Sequence, residues 1–394
     1  MTRPNVPDFP PPTVVTGTAA LAALCQRLAR EEFVTIDTEF MRERTYYPEL
    51  CLVQLAGETE VAVIDTVSDG LDLAPLGVLL ADQAVTKVFH AARQDVEIFV
   101  QRFDAVPTPL FDTQVAAMVA GFGDQVGYDS LVSNLTGGSI DKAHRFSDWA
   151  ARPLSAAQMT YAAADVTWLR IVYRKLRARL EEEGRLPWLA EEMAILNNPN
   201  TYRTDPETAW ERLKLRGTNR RFLALVRTIA AWRELEARRI NIPRQRLLKD
   251  ETLMEIAAIA PADAEALSRA RGITRGFAEG RTGASLLEAI AATIALPEAQ
   301  LPAVPRQRDV ARPSAALVQL LKVLLTARCE ENEVAPKLIA SSDDIDRIAS
   351  EDEPDVPALH GWRRIVFGND AVALREGRVA LGVDGKRIRL IPVT

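Results

Sequence analysis

The sequence predicts an α/β domain, built on a mixed sheet flanked by helices, followed by two mainly α-helical domains, the last ending in a β-hairpin. Three observations carry this. Short β-favouring runs alternate with segments of helical period through the first half of the chain. Beyond Asp205 the strand signals nearly vanish and basic residues accumulate. Part of that basic region, R-L-L-K-D-E-T-L-M-E-I-A at 246–257, then lines up with L-I-A-S-S-D-D-I-D-R-I-A at 338–349. At 394 residues the chain is also too long for one ordinary core.

Residues 1–12 are proline-rich and read as a flexible arm. From Thr18, apolar residues recur at helical spacing. Three β-like runs follow at 33–40 (F-V-T-I-D-T-E-F), 51–56 (C-L-V-Q-L-A) and 61–65 (V-A-V-I-D), joined by short connections that favour an antiparallel meander. A helix over Leu73–Ala81 leads to a strand at 87–90 (K-V-F-H) and then to a helix, R-Q-D-V-E-I-F-V. Asp112 is placed to cap the helical T-Q-V-A-A-M-V-A, and Ser155 to cap a long helix over Ala156–Glu183. Between them lies a polar loop, Thr136–Asp148, and the domain closes at the N-N-P-N turn of 197–200. Helices are expected at 207–215, 219–239, 250–258, 261–270 and 284–294. A proline-rich linker spans 297–313, and Asp384-Gly385 centres a hairpin in the tail.

With 47% apolar and 26% charged residues, composition is that of a water-soluble globular protein. No run has the apolar length of a membrane span, and the first residues contain no apolar signal region, so the expected location is the cytoplasm and no membrane partner is expected. Cys25, Cys51 and Cys329 stand far apart in apolar or helical surroundings, as buried thiols do. The net charge of −6 conceals an asymmetry: residues 1–202 hold 17 basic against 27 acidic side chains, residues 203–249 hold 13 against 5. An acidic domain joined to a basic one suits an enzyme that binds metal with carboxylates and attracts phosphates beside them.

Asp37 and Glu39 are two apart on a strand and emerge on one face. Two anions that close repel unless a proton or a cation lies between them, and a divalent ion fills that place. Asp95 lies on the helix after K-V-F-H; Tyr161 and Asp165 are four apart and share a helix face. Asp65 and Asp112, each at a strand end and followed by Thr, read as turn or capping residues and stand as reserve ligands. His90 and Asp95 also spell H-x-x-x-x-D, but only 50 residues separate Glu39 from His90, too few for an intervening acid and its scaffold.

The strings F-V-T-I-D-T-E-F, F-H-A-A-R-Q-D-V-E-I-F, S-D-W-A-A-R-P-L-S and Y-A-A-A-D-V resemble the ribonuclease D family, in the tyrosine-bearing branch of the DEDD superfamily of 3′–5′ exonucleases. The resemblance covers roughly residues 14–200, and the basic helical modules are similar to the HRDC domains that follow the nuclease in that family. It implies a ribonuclease H-like sheet and cleavage with two divalent ions, Mg²⁺ first and Mn²⁺ as the alternative. It also implies that Asp37 bridges both ions, Glu39 and Asp165 complete one, Asp95 holds the other, and Tyr161 orients the attacking water. The implied partner is RNA, above all precursor tRNA with a 3′ extension trimmed to nucleoside 5′-monophosphates, with no obligate protein partner. A DNA exonuclease of the same branch and a catalytically silent nucleic-acid-binding protein are the alternatives.

Candidate RNA contacts are Phe40, Arg42 and His144 near the acids and Arg220, Arg221, Arg244 and Arg246 in the basic module. Phe40 has the opposite parity to the acidic pair, which turns it toward the core. The expected organisation is an arm (1–12), an exonuclease domain (13–203), a first HRDC-like domain (204–296), a linker (297–313) and a second HRDC-like domain with the hairpin (314–394).

Overall fold

The computed structural model describes residues 11–215, 219–303 and 313–393; most of the expected arm and the 304–312 part of the expected linker lie outside the described residues. The described chain falls into two compact units. One contains the residues up to Glu39, Cys51–Pro199 and the segment from 313 onward; the other contains Phe40–Leu50 and the described residues from Asn200 to 303.

The elements run β1 (Thr13–Val15), α1 (Thr18–Leu28), β2 (Phe33–Met41), β3 (Glu49–Ala56), β4 (Val61–Asp65), α2 (Ala74–Ala81), β5 (Thr86–Phe89), α3 (Arg93–Phe103), β6 (Leu110–Asp112), α4 (Thr113–Val119), α5 (Tyr128–Thr136), α6 (Ala156–Glu182) and α7 (Leu186–Leu196). The six strands form one sheet in the order β1-β4-β3-β2-β5-β6. β3 and β4 pair antiparallel, while β1 with β4, β2 with β5 and β5 with β6 pair parallel, so the sheet is mixed, as expected. β1 is absent from the sequence reading, and β6 enters it only as the strand end at Asp112, because three residues are too few to show a period of two. β2 is an interior strand, and its apolar residues Val34 and Ile36 are fully buried. Ser155 caps α6 with a complete capping box: its hydroxyl accepts from the Gln158 N–H while the Gln158 side chain accepts from the Ser155 N–H.

The unit that includes Phe40–Leu50 is helical: α8 (Arg220–Arg239), α9 (Arg244–Leu247), α10 (Asp250–Ile259), α11 (Ala264–Ser268), α12 (Arg275–Glu279) and α13 (Arg281–Ile294). Leu225, Val226, Ile229, Leu253, Ile256, Leu286 and Ile290 make its core. The helix expected at 207–215 is a 3₁₀ turn over Pro206–Arg212, capped by Asp205. Within this unit Tyr46 donates its hydroxyl to buried Glu234 and accepts from Arg238 Nε at 3.0 Å. Asn241 Oδ1 accepts from the Tyr46 N–H at 3.1 Å.

The chain after 313 continues with α14 (Ala315–Glu331), α15 (Pro336–Ile339), α16 (Ser342–Ser350), α17 (Gly361–Arg363), a π-helical turn (Arg364–Gly368), α18 (Asn369–Arg375) and the hairpin β7 (Val379–Asp384) and β8 (Arg387–Pro392). It repeats the order of the basic module. α8 and α14 each end two residues before a left-handed residue, Asn241 or Glu333, and a short helix then leads into α10 or α16. This last segment packs within the same unit as the sheet: Trp362 stacks on Trp188 at 4.6 Å, and the Arg363 guanidinium pairs with Glu192, which is 6% exposed. No described helix is long and apolar enough to cross a membrane.

A buried carboxylate stripped of its partner is costly, so Arg363→Ala should destabilise this unit by about 3 kcal/mol. Adding Glu192→Gln should recover part of the loss. Thermal unfolding of the single and double variants measures both, and an unchanged melting temperature for Arg363→Ala would disprove the role assigned to the pair.

Candidate active site

The site starts from β2. Thr35, Asp37 and Glu39 share one face of the strand, and the Thr35 hydroxyl donates to the Val166 carbonyl at 2.8 Å. That bond fastens α6 to the strand one residue away from Asp165. Carboxylate oxygens of Asp37, Glu39 and Asp165 consequently lie within 4.8 Å of one another. Asp165 is buried, and Asp37 and Glu39 keep part of their surface accessible.

Asp95 stands outside this trio. It lies buried in the first turn of α3, and the Thr38 hydroxyl donates to its Oδ1. α3 is aimed by Asp112, whose carboxylate accepts from the N–H groups of Ala91 at 3.0 Å and Ala92 at 2.8 Å. The same carboxylate caps α4 through Gln114. Asp112 is thus a structural hub rather than a ligand. Asp65, the other reserve ligand, is held by Arg152 at 2.6 Å.

Electrostatics follow from this crowding. Burial, and then the charges of Asp165, Asp95 and Glu39, push the Asp37 carboxyl well above its usual range. Burial together with Asp165 and Asp95 pushes Glu39 up to about 9. Burial raises Asp95 to about 7, against the Thr38 hydrogen bond, and Asp165 to about 7, against the Tyr161 hydrogen bond. Protein groups alone do not neutralise the cluster. Its donors are all oxygen, which suits a hard divalent cation, and a cation within the trio would reverse the penalty that raises these values. Tyr161 bonds Asp165, and burial with the three nearby carboxylates raises its phenol, so it keeps its proton and acts as a donor.

Several neighbours were not read from the sequence. Thr38 lies between the two acids of the D-T-E string, where a hydroxyl among carboxylates was the available signal. Tyr128 faces the cluster: burial, Asp165 and Asp37 raise its phenol, and its hydroxyl donates to the Ala164 carbonyl at 3.3 Å. Trp149 packs its ring 6.0 Å from that of Tyr161. Tyr128 has no local pattern and Trp149 only its place in the S-D-W-A-A-R-P-L-S string; both reach the site through tertiary packing. His90 bonds Thr113 at 3.0 Å and packs against Tyr128, a structural position.

Of the candidate RNA contacts, Phe40 and His144 are half-buried and Arg42 is exposed. Arg220 and Arg221 donate instead to backbone carbonyls of their own unit, Arg220 to Leu301 at 2.6 Å and Arg221 to Leu296 at 2.7 Å. Arg244 lies 3.5 Å from Glu234 with its guanidinium over the Tyr46 ring. Arg246 is exposed; with Lys249 and Arg271 it lines a cavity of about 460 Å³.

Comparison with known proteins agrees with this geometry. Residues 12–181 match the 3′–5′ exonuclease family, and residues 222–290 match the HRDC domain. The chain is 68% identical over 392 residues to ribonuclease D of Granulibacter bethesdensis, covering 99% of each, and 66% identical over 385 residues to that of Acidiphilium cryptum, covering 98% of each. Its fold is similar to the crystal structure of Escherichia coli RNase D, described as an exoribonuclease involved in structured RNA processing, with a TM-score of 0.78 and 30% identity over 93% of this chain and 99% of that one. On this identity, across nearly the whole chain, the protein belongs to the ribonuclease D family of 3′–5′ exoribonucleases.

Proposed function

We propose that this exoribonuclease trims the 3′ ends of structured RNA, precursor tRNA above all, with two divalent ions, Mg²⁺ by preference, and releases nucleoside 5′-monophosphates. The observation that carries the reading is the carboxylate trio within 4.8 Å, with Asp95 beside it, in a ribonuclease D family member. The description of the Escherichia coli relative supports the RNA class. A cytoplasmic location accords with such a substrate.

In this reading Asp37, Glu39 and Asp165 would hold one ion, and Asp37 with Asp95 would hold the second. Bound there, the ions supply Lewis-acid activation of water and offset the charge that develops on the phosphate and the leaving 3′ oxygen. The Thr38 hydroxyl and the α3 position set by Asp112 fix the Asp95 carboxylate; the Thr35 bond to α6 fixes Asp165. Tyr161 keeps its phenolic proton and orients the attacking water by hydrogen bonding. Water adds to phosphorus, the bond from phosphorus to the 3′ oxygen breaks, and that oxygen takes up a proton. The shortened strand keeps a 3′ hydroxyl, and the nucleotide leaves with its 5′ phosphate.

The same proposal covers domain roles. Residues 13–203 form the exonuclease domain, 204–296 a first HRDC-like domain that tethers RNA by phosphate contacts from Arg246 and its neighbours, and 314–394 a second HRDC-like domain. The repeated helix order, with left-handed Asn241 and Glu333 at equivalent places, supports the last assignment.

Asp37→Asn should abolish nucleotide release from a 3′-extended tRNA while RNA retention in a gel-shift assay persists; undiminished release would refute the assignment. Release should stop in EDTA and return with Mg²⁺, and a matched DNA strand should be a poor substrate. Tyr161→Phe should lower kcat about 100-fold with little change in KM. Loss confined to KM would contradict a water-positioning role.

A further inference from the structure

The loop between α5 and α6 carries chemistry that the acidic site leaves unused. It is pinned at its C-terminal end. Trp149 is 2% exposed and packs on Tyr161, and Arg152 ties the Trp149 carbonyl at 2.7 Å to the Asp65 carboxylate at 2.6 Å and the Cys51 carbonyl at 3.1 Å. Its N-terminal end is held by the ion pair of Lys142 with Asp129 at 2.7 Å. Two tight turns lie between the pins, from the Arg145 N–H to the Lys142 carbonyl at 3.2 Å and from the Ser147 N–H to the His144 carbonyl at 3.1 Å.

At the crest stands Phe146, 92% exposed, with the Arg145 guanidinium 5.4 Å from its ring centre. Among the described residues that guanidinium makes no hydrogen bond and no ion pair, although its charge reaches the buried Asp165 carboxylate. One exposed apolar side chain is ordinary. This one is a flat aromatic paired with an uncommitted planar cation, three residues from the ring that packs on Tyr161.

We infer that Arg145 and Phe146 form a subsite for the RNA strand beside the scissile bond, the ring stacking on a base and the guanidinium taking a phosphate. The inference rests on the exoribonuclease reading and adds the residues that hold the substrate. Stacking accepts any base because each has a π face, which suits an enzyme that must step along a strand without regard to sequence. A cation is also required: the phosphate backbone must approach three clustered carboxylates with Asp95 beside them, and Arg145 opposes their repulsion.

The test uses the full chain and a single-stranded oligoribonucleotide with 2-aminopurine next to its 3′ end. Binding in EDTA is read by quenching of the fluorophore, independently of cleavage; KM and kcat are then read with Mg²⁺. Phe146→Ala should raise the dissociation constant and KM roughly 5- to 100-fold and remove most of the quenching, with kcat changed about twofold or less. Phe146→Trp should restore affinity. Arg145→Ala should weaken binding and reduce its salt dependence by about 0.7 in log–log slope, the loss of one phosphate contact. Because Phe146 is exposed, the melting temperature should not move. Unchanged quenching and KM in Phe146→Ala would overturn the proposal, as would a defect that tryptophan does not repair. A wild type that quenches the fluorophore but releases no nucleotide would contradict the exonuclease reading and leave the subsite standing.

Discussion

Three carboxylates held within 4.8 Å of one another, two from a strand and one from a helix, set the terms for the rest of the exonuclease domain. At an effective dielectric of about 20, each such pair repels by roughly 3 kcal/mol at 5 Å. A chain does not gather such groups by chance packing. Here the gathering is enforced by contacts that owe nothing to the three acids, the Thr35 hydroxyl on the Val166 carbonyl and the buried apolar face of β2, while the Asp112 carboxylate caps α4 and holds the Ala91 and Ala92 amides ahead of α3, the helix of Asp95. The folding energy of the sheet holds the charges together, and divalent cations relieve what it imposes.

That arrangement creates a second problem, since RNA is a polyanion and the first 202 residues carry an excess of acids. The chain answers with cations placed outside the acidic cluster. The charge of Arg145 reaches Asp165, and the basic stretch 203–249 carries a local excess of 8 positive charges. Many of those arginines serve the fold instead: Arg221 closes the C-terminal carbonyls of α13, Arg238 holds Tyr46 and Arg233 bonds Asp250. Arg246 and Lys249 of this stretch, with Arg271 beyond it, line a cavity. Charge counts therefore overstate how many of these cations are left to meet phosphate.

The carboxylate cluster was legible because it is written at short range. D-x-E on a strand and Y-x-x-x-D on a helix each place two side chains on one face by backbone geometry alone. The mixed sheet, the capped α6, the hairpin and the matching helix order of the two modules were legible for the same reason. What could not be read was contact between distant segments. Thr38 bonding Asp95, Trp149 packing on Tyr161 and Tyr128 beside Asp165 depend on how α3, α5 and α6 meet β2. Asp65 and Asp112 looked like spare ligands because an acid at a strand end is ambiguous until its partner is seen, Arg152 in one case and backbone amides in the other.

The central claim is that oxygen atoms from β2 and α6 together make one cation site. Calorimetric titration of Mn²⁺ into the RNA-free protein addresses it directly, with Asp165→Asn set against the unaltered chain. The account predicts clear binding by the unaltered chain and at least about a tenfold loss of affinity in the variant, although the substitution lies 128 residues from Asp37. Equal affinity in the two proteins would contradict it, because β2 would then bind the ion without α6.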